Sequence, residues 1–284
     1  MATRGWIKAP SPFPKATFDI KTLSMAPQPA SANCQSKNPQ SHVDIRFLRW
    51  LPWGMLFHTL ELLHTEPLTP FGAALNMAVD EVLLLQAHRP VLRVYKWARP
   101  AVSFGYFESW QAVNAAYPPP AWELVRRWTG GGVVVHGQDW TYSLIVPRSD
   151  PFALVKARES YLAVHRLLAD ALSLAGLGGC EGRGVSLVPE AAAKVSQACF
   201  ENPAQHDLLL AGRKVAGAGQ RRSRAGMLHQ GSVQGVTLPR LFADQWARSL
   251  AATVIERRLD ESELAEARSL AEEKYATAEW NQRK

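Results

Sequence analysis

From Arg46 onward apolar residues recur with periods that predict regular structure, and Leu56 to Leu63 predicts a strand running into a loop at Thr65 to Pro70. Leu75, Val79, Val82 and Leu83 then follow a helical period, with Asp80 and Glu81 inside the helix and Pro90 to end it. Short β-rich runs come next. Val91 to Tyr95 alternates around Arg93, Val102 to Tyr106 is brief, and Val133 to His136 and Thr141 to Val146 flank a polar turn of Gly137, Gln138 and Asp139. A second amphipathic helix is predicted over Lys156 to Ala175, with Tyr161, Val164, Leu168, Ala171 and Leu172 on one face and Gly176 as its cap. His206 to Leu210 and Arg213 to Ala216, joined by Ala211-Gly212, predict a hairpin, and Met227 to Val233 a strand after a basic turn. Two helices are expected to close the chain, one opened by Thr237 and Pro239, the other by Asp260 with Glu263 three residues on. The succession predicts an α+β fold: one mixed, largely antiparallel sheet flanked by helices.

Before this patterned region, Met1 to about Val43 is rich in Pro, Ser, Ala, Asn and Gln and holds no sustained apolar period, so it is expected not to pack. The domain organisation read from the sequence is therefore a disordered extension over 1–45 and a single domain over 46–284. The extension is basic and hydroxyl-bearing like a leader, yet it lacks an apolar central region, and Met25 or Met55 is an alternative start. A non-functional extension is favoured over a targeting segment.

Of the 284 residues, 47% are hydrophobic, enough for a substantial core, while Arg, Lys, Asp, Gln or Gly interrupts every apolar run well before the roughly 20 residues that cross a bilayer. No membrane role is expected. Cys34, Cys180 and Cys199 are irregularly spaced, which frames neither a disulfide scaffold nor a zinc site, so no metal is expected and a reducing cytoplasm fits best. Part of the net charge of +7 lies in the first 45 residues, so nucleic acid is not implied. The cluster Arg221, Arg222 and Arg224 could meet an acidic protein or an acyl phosphate, or simply form a solvated turn.

Three segments carry candidate chemistry. In Arg126-Arg127-Trp128-Thr129-Gly130-Gly131-Gly132-Val133-Val134-Val135-His136, three successive glycines lose backbone entropy on folding. They suggest either backbone approaching a ligand or a tight turn. In Gly212-Arg213-Lys214-Val215-Ala216-Gly217-Ala218-Gly219, strand alternation would set Lys214 on the face of Ala216 and Ala218, leaving room for substrate beside the ammonium. Such an ammonium could stabilise an oxyanion, or be an ordinary exposed lysine. Cys199, fifteen residues before Lys214, could accept an acyl group as a thioester without nucleotide, or be a small buried apolar residue. Cys180 has only the second reading. His136 is a candidate base, or a satisfied structural histidine at a strand end.

Together and in order, these segments resemble the catalytic domain of the biotin and lipoate ligase and transferase superfamily. Asn76-Met77-Ala78-Val79-Asp80-Glu81 is similar to its first helix, and Arg93-Val94-Tyr95-Lys96-Trp97 with Ser103-Phe104-Gly105-Tyr106-Phe107 to its next strands. The Arg-Arg-x-x-Gly-Gly-Gly-x-x-x-His run resembles its substrate loop, Lys214 falls on its lysine, and Met227 to Ser232 resembles its Gly-Ser strand. The end, Glu273-Lys274-Tyr275 with Glu279-Trp280-Asn281, looks like that of lipoyl-type members.

The resemblance implies the mixed sheet of the class II aminoacyl-tRNA and biotin synthetase-like fold, with acyl substrate between the glycine loop and the lysine strand. It implies Cys199 and Lys214 as catalytic residues, and Arg126, Arg127, Gly130, Gly131, Gly132, His136, Gly217 and Ala218 as substrate-binding residues. Cys199-Phe200-Glu201-Asn202-Pro203 and His136 followed by Thr141-Tyr142-Ser143 are similar to the cysteine-dependent octanoyltransferases. These need no cofactor and move octanoyl from acyl carrier protein to a lipoyl-domain or glycine-cleavage carrier protein. The triple glycine is more typical of lipoate-protein ligases, which use ATP and magnesium, and that reading is the alternative. Biotin ligase, and a module that binds acylated carriers without turnover, are further options.

Overall fold

The computed structural model describes residues 54–64, 70–177, 184–189 and 203–283, all within the unit Ile45–Lys284. The expected extension at 1–45, the loop at 65–69 and Cys34, Cys180 and Cys199 lie outside the described residues.

Among the described residues eight strands, numbered in chain order, form the main sheet. β1 (Phe57–His64) lies parallel to β2 (Val91–Tyr95), which pairs antiparallel with β6 (Trp140–Pro147). Antiparallel pairing continues through β10 (Gly226–Val233), β9 (Arg213–Arg222), β8 (Leu208–Leu210) and β7 (Val185–Leu187). β11 (Ala251–Arg257) closes the opposite edge, parallel to β1. In a second sheet β3 (Ala101–Phe104) lies between parallel β4 (Glu123–Arg126) and antiparallel β5 (Val133–His136). The expected mixed α+β architecture is present.

Helices cover both faces of the main sheet. Tyr142, Leu144, Val164, Leu168 and Trp246 belong to one core, under α3 (Ala157–Leu174) and α4 (Phe242–Leu250). Val79, Leu83, Ile145, Leu228 and Tyr275 belong to the other, where α1 (Ala73–Gln86), α5 (Glu261–Leu270) and a π-helical turn at Ala271–Tyr275 pack. Each such side chain contributes about 1.5–3 kcal/mol by leaving water. Because β2 is covered on both sides, even Arg93 is fully buried and must be paired: its guanidinium reaches Asp80 Oδ1 at 2.6 Å and Asn76 Oδ1 at 2.6 Å, both on α1.

The structure corrects three expectations and adds two elements. The chain does not close with two helices: β11 follows α4 directly, α5 begins at Glu261 under an Asp260–Glu263 capping box, and the short α6 (Ala278–Asn281) comes last. The helix expected at Thr237 begins at Phe242. α2 (Trp110–Ala116) and β4 were not foreseen. Finally, β9 runs on to Arg222, so Arg221 and Arg222 are strand residues instead of a solvated turn; Arg222 donates to Ala153 O and Ser160 Oγ.

Candidate active site

The glycine run links β4 to β5 and lies over β9. Arg127 shapes it by donating to Gly132 O (2.8 Å) and Gly130 O (3.3 Å), while Gly105 N and Tyr106 N donate to Gly132 O and Thr129 O. Gly131 has φ +95°, a conformation that glycine adopts without the penalty a side chain would bring. Opposite, Gly219 approaches the loop so closely that an added Cβ would sit 2.5 Å from Gly130 O.

Between loop and sheet lies a narrow pocket, part of whose space is open to solvent. Arg127, Gly131 and His136 line it from the small sheet, Gly217 and Ala218 from β9, and Met77, Tyr95 and Trp97 from one side. Five of the sequence-predicted residues are thus brought together. Gly130 and Gly132 act through backbone contacts of the loop.

Arg126 is turned away. Its guanidinium is held by the carbonyls of Gly105, Tyr106, Glu108, Asn281 and Arg283, while Asn281 Oδ1 accepts from Arg126 N and Trp280 Nε1 donates to Arg126 O. The expectation that Arg126 binds substrate meets a side chain 1% exposed and saturated with carbonyls. Its role in the fold is to clamp the C-terminal segment against β4. Trp128, two residues on, has the cations Arg221 (5.2 Å) and Lys274 (4.9 Å) over its ring.

Lys214 is also placed differently from simple alternation. Leu208 pairs with Ala216 and the adjacent Leu209 with Lys214, so Val215 is an extra residue in β9. Such a bulge reverses the alternation of faces. The ammonium therefore lies against Gly217, whose added Cβ would be 2.8 Å from Nζ, and not on the face of Ala216 and Ala218. Lys214 is no exposed lysine: Nζ is 2.7 Å from Asp207 Oδ2, with both side chains nearly inaccessible. Asp207 also accepts from Tyr161 Oη and from Ala204 N.

His136 sits in a connected polar chain. Its ring stacks on Trp97 at 4.0 Å, Nδ1 lies 2.7 Å from Asp139 Oδ2, and Nε2 lies 2.6 Å from Ser103 Oγ. Asp139 Oδ2 further accepts from Thr141 Oγ1 (2.8 Å) and Ser232 Oγ (2.7 Å), and Arg127 donates to Ser103 Oγ (2.7 Å). Burial lowers the affinity of the ring for a proton, against the pull of Asp139, so His136 is held neutral.

A second network fixes the loop to α1: Thr129 Oγ1 donates to Gln230 Oε1, and Gln230 Nε2 donates to Asp80 Oδ2 at 2.7 Å. Ser103, Asp139, Asp207 and Gln230 were not singled out by sequence reasoning. Only Asp139, three residues after His136 in a predicted turn, carried a local signal.

Among known proteins, the model for the lipoyl protein ligase A/B catalytic domain matches residues 72–239 of the chain. The chain belongs to that family. Relatives within it include the octanoyltransferase LipM of Kyrpidia tusciae, 34% identical over 62% of this chain and 65% of that one. The LipM of Staphylococcus aureus is 35% identical over 59% and 64%, and that of Symbiobacterium thermophilum 30% identical over 74% and 94%. With the first relatives the match spans a little under two thirds of their length.

Solved structures show the same fold. Protein Ta0514 of T. acidophilum matches with a TM-score of 0.60 at 21% identity, over 80% of this chain and 99% of that one. A lipoate-protein ligase A bound with ATP matches at 0.56 and 20%, over 80% and 98%. Among the described residues no group of three or more His, Cys, Asp or Glu is placed to hold a metal ion, and no helix is long and apolar enough to cross a membrane.

Proposed function

We propose that the chain transfers an octanoyl or lipoyl group to a lysine of a lipoyl carrier protein through a thioester on Cys199. The observation that carries this reading is the buried Lys214–Asp207 pair, set against Gly217 at the edge of the pocket. Ala204 N donates to the same carboxylate oxygen that holds the ammonium, and Cys199 precedes Ala204 by five residues.

A fixed ammonium favours the thiolate and a developing oxyanion, so Lys214 is assigned to both tasks. Exchange between thioesters is nearly isoenergetic and needs no nucleotide, which fits the relatives' name of octanoyltransferase. The acyl chain would lie between Gly131 and Gly217, with Arg127, His136 and Ala218 around it. Gly130 and Gly132 serve as the loop backbone. Arg126 supports the loop through its clamp. The donor in this proposal is octanoyl acyl carrier protein, the acceptor a lipoyl-domain or glycine-cleavage protein, and the compartment the cytoplasm, with no cofactor.

Transfer from an octanoyl carrier thioester to a lipoyl domain, followed by mass spectrometry of the acceptor without nucleotide, tests the reading. Acceptor modification is expected. Modification only with free lipoate, Mg and ATP would replace it with the lipoyl-AMP ligase reading, which the fold neighbours bring with them.

A further inference from the structure

Amide formation on a lysine requires that its nitrogen lose a proton, because a free lysine with a pKa near 10.4 is almost entirely an ammonium at neutral pH. Lys214 cannot take that proton, since the ammonium paired with Asp207 has no lone pair to accept it. The pocket wall opposite holds another set of groups. Ser103 Oγ lies 2.6 Å from His136 Nε2, and His136 Nδ1 lies 2.7 Å from Asp139 Oδ2. Both Ser103 and His136 line the pocket.

The hydrogen bonds fix the proton positions. Asp139 Oδ2 already accepts from Thr141 and Ser232 and is an acceptor toward Nδ1, so the neutral ring carries its proton on Nδ1 and leaves Nε2 bare. Arg127 donates to Ser103 Oγ, so the single Ser103 proton is directed at Nε2. The hydroxyl oxygen then keeps one lone pair for an incoming N–H. The charged groups facing the ring are Asp139 on its own turn and Arg127 beyond β4; Trp97 covers its face.

We infer that Ser103, His136 and Asp139 form a proton relay that activates the acceptor amine, with Ser103 as the group that touches it. This rests on the acyl-transfer reading above. One proton of the lysine ammonium first passes to Ser103 Oγ as the Ser103 proton passes to His136 Nε2, which leaves a neutral amine. As the amine nitrogen bonds to the acyl carbon, the carbonyl π pair moves to oxygen. Collapse of the tetrahedral intermediate re-forms the carbonyl and breaks the C–S bond; the departing thiolate takes the second N–H proton, and the relay returns the first to solvent. Asp139 is the positioning residue: it selects the ring tautomer and stabilises the transient imidazolium.

The test compares two octanoyl acceptors in the full-length protein, a lipoyl-domain lysine and hydroxylamine, which is unprotonated at neutral pH and so skips the first deprotonation. Asp139→Asn would donate to Nδ1, force the proton onto Nε2 and disable the relay. At pH 7 both Asp139→Asn and Ser103→Ala are expected to slow transfer to lysine by about 100-fold or more while holding transfer to hydroxylamine within about threefold. The lysine defect should shrink as pH rises toward the lysine pKa. Equal loss with both acceptors, or undiminished transfer to lysine in the two variants, would overturn the relay. An octanoyl ester on Ser103 would overturn it too, by making the serine a nucleophile. Wild-type protein that acylates neither acceptor would overturn both the relay and the acyl-transfer reading.

Discussion

Replacing Gly219 by alanine tests the close approach between β9 and the glycine loop. The added Cβ would stand 2.5 Å from Gly130 O, 3.0 Å from Thr129 Oγ1 and 3.3 Å from Gly130 C. Ordinary contact begins at 3.4 Å, so Gly130 O must retreat by about 0.9 Å, and the contact is backbone that cannot rotate aside. Overpacking of this kind costs about 1–3 kcal/mol, offset by about 0.4–1 kcal/mol because alanine restricts the unfolded chain where the backbone is not left-handed. A net loss of about 1–2 kcal/mol is expected, lowering Tm by about 3–6 °C for a domain of this size. Displacing Gly130 by nearly 1 Å also shifts Gly131 at the pocket, for which a loss of about 100-fold in kcat/KM is expected. Gly184, with no atom of the described residues within 4 Å of its Cβ position, serves as control. Calorimetry and octanoyl transfer, run on Gly219→Ala and Gly184→Ala side by side, supply both readings. A Gly219→Ala protein with unchanged Tm and turnover would refute the argument that this contact sets the loop.

Other outcomes follow from the same geometry. Arg93→Met strands the Asp80 carboxylate in the core and is expected to cost about 3–5 kcal/mol in denaturant unfolding, whereas an isolated surface pair would cost under about 1 kcal/mol. Asn281→Ala removes the acceptor of Arg126 N and the donor to Tyr275 O, so a loss of about 1–3 kcal/mol is expected; an unchanged Tm would deny the C-terminal clamp a structural role. Ala211 occupies a left-handed conformation, φ 50°, in the hairpin turn before Gly212, so Ala211→Asn should raise stability by about 0.5–1 kcal/mol. Burial pushes the His165 ring down to about 4, below its unfolded value of about 6.5, so the unfolded chain takes the proton first. Its contribution is therefore complete above about pH 6.5 and falls as pH drops toward 4, by up to about 3 kcal/mol. His165→Gln should flatten the stability curve in that window, and superimposable curves would contradict this.

Much of the architecture was legible because burial imposes periodicity. α3 follows its apolar stripe of Tyr161, Val164, Leu168, Ala171 and Leu172, and β10 and its neighbours appear where β-rich runs predicted them. The elements that escaped notice have weak signals for physical reasons. β11 is an edge strand, exposed at Ala252, Thr253, Ile255 and Glu256, and it starts immediately after α4 without turn residues. β4 is four residues long and takes its order from a partner strand 22 residues earlier in the sequence, Ala101 against Glu123.

At the site, residue types were readable but directions were not. The bulge at Val215 turns Lys214 toward Gly217, and no feature of Arg213-Lys214-Val215-Ala216 announces it. Arg126 and Arg127 are adjacent in sequence, yet one serves the C-terminal clamp and the other the pocket, because successive residues leave a strand on opposite sides. Ser103 and His136 meet only through the pairing of β3 with β5, a contact across 33 residues.

Intact-mass spectrometry after mixing the protein with octanoyl acyl carrier protein, before any acceptor is added, addresses acyl transfer most directly. A single octanoyl adduct that maps to Cys199, disappears in Cys199→Ala and is discharged by a lipoyl domain is the predicted result. Full transfer by Cys199→Ala, with no adduct on the wild-type chain, would contradict it.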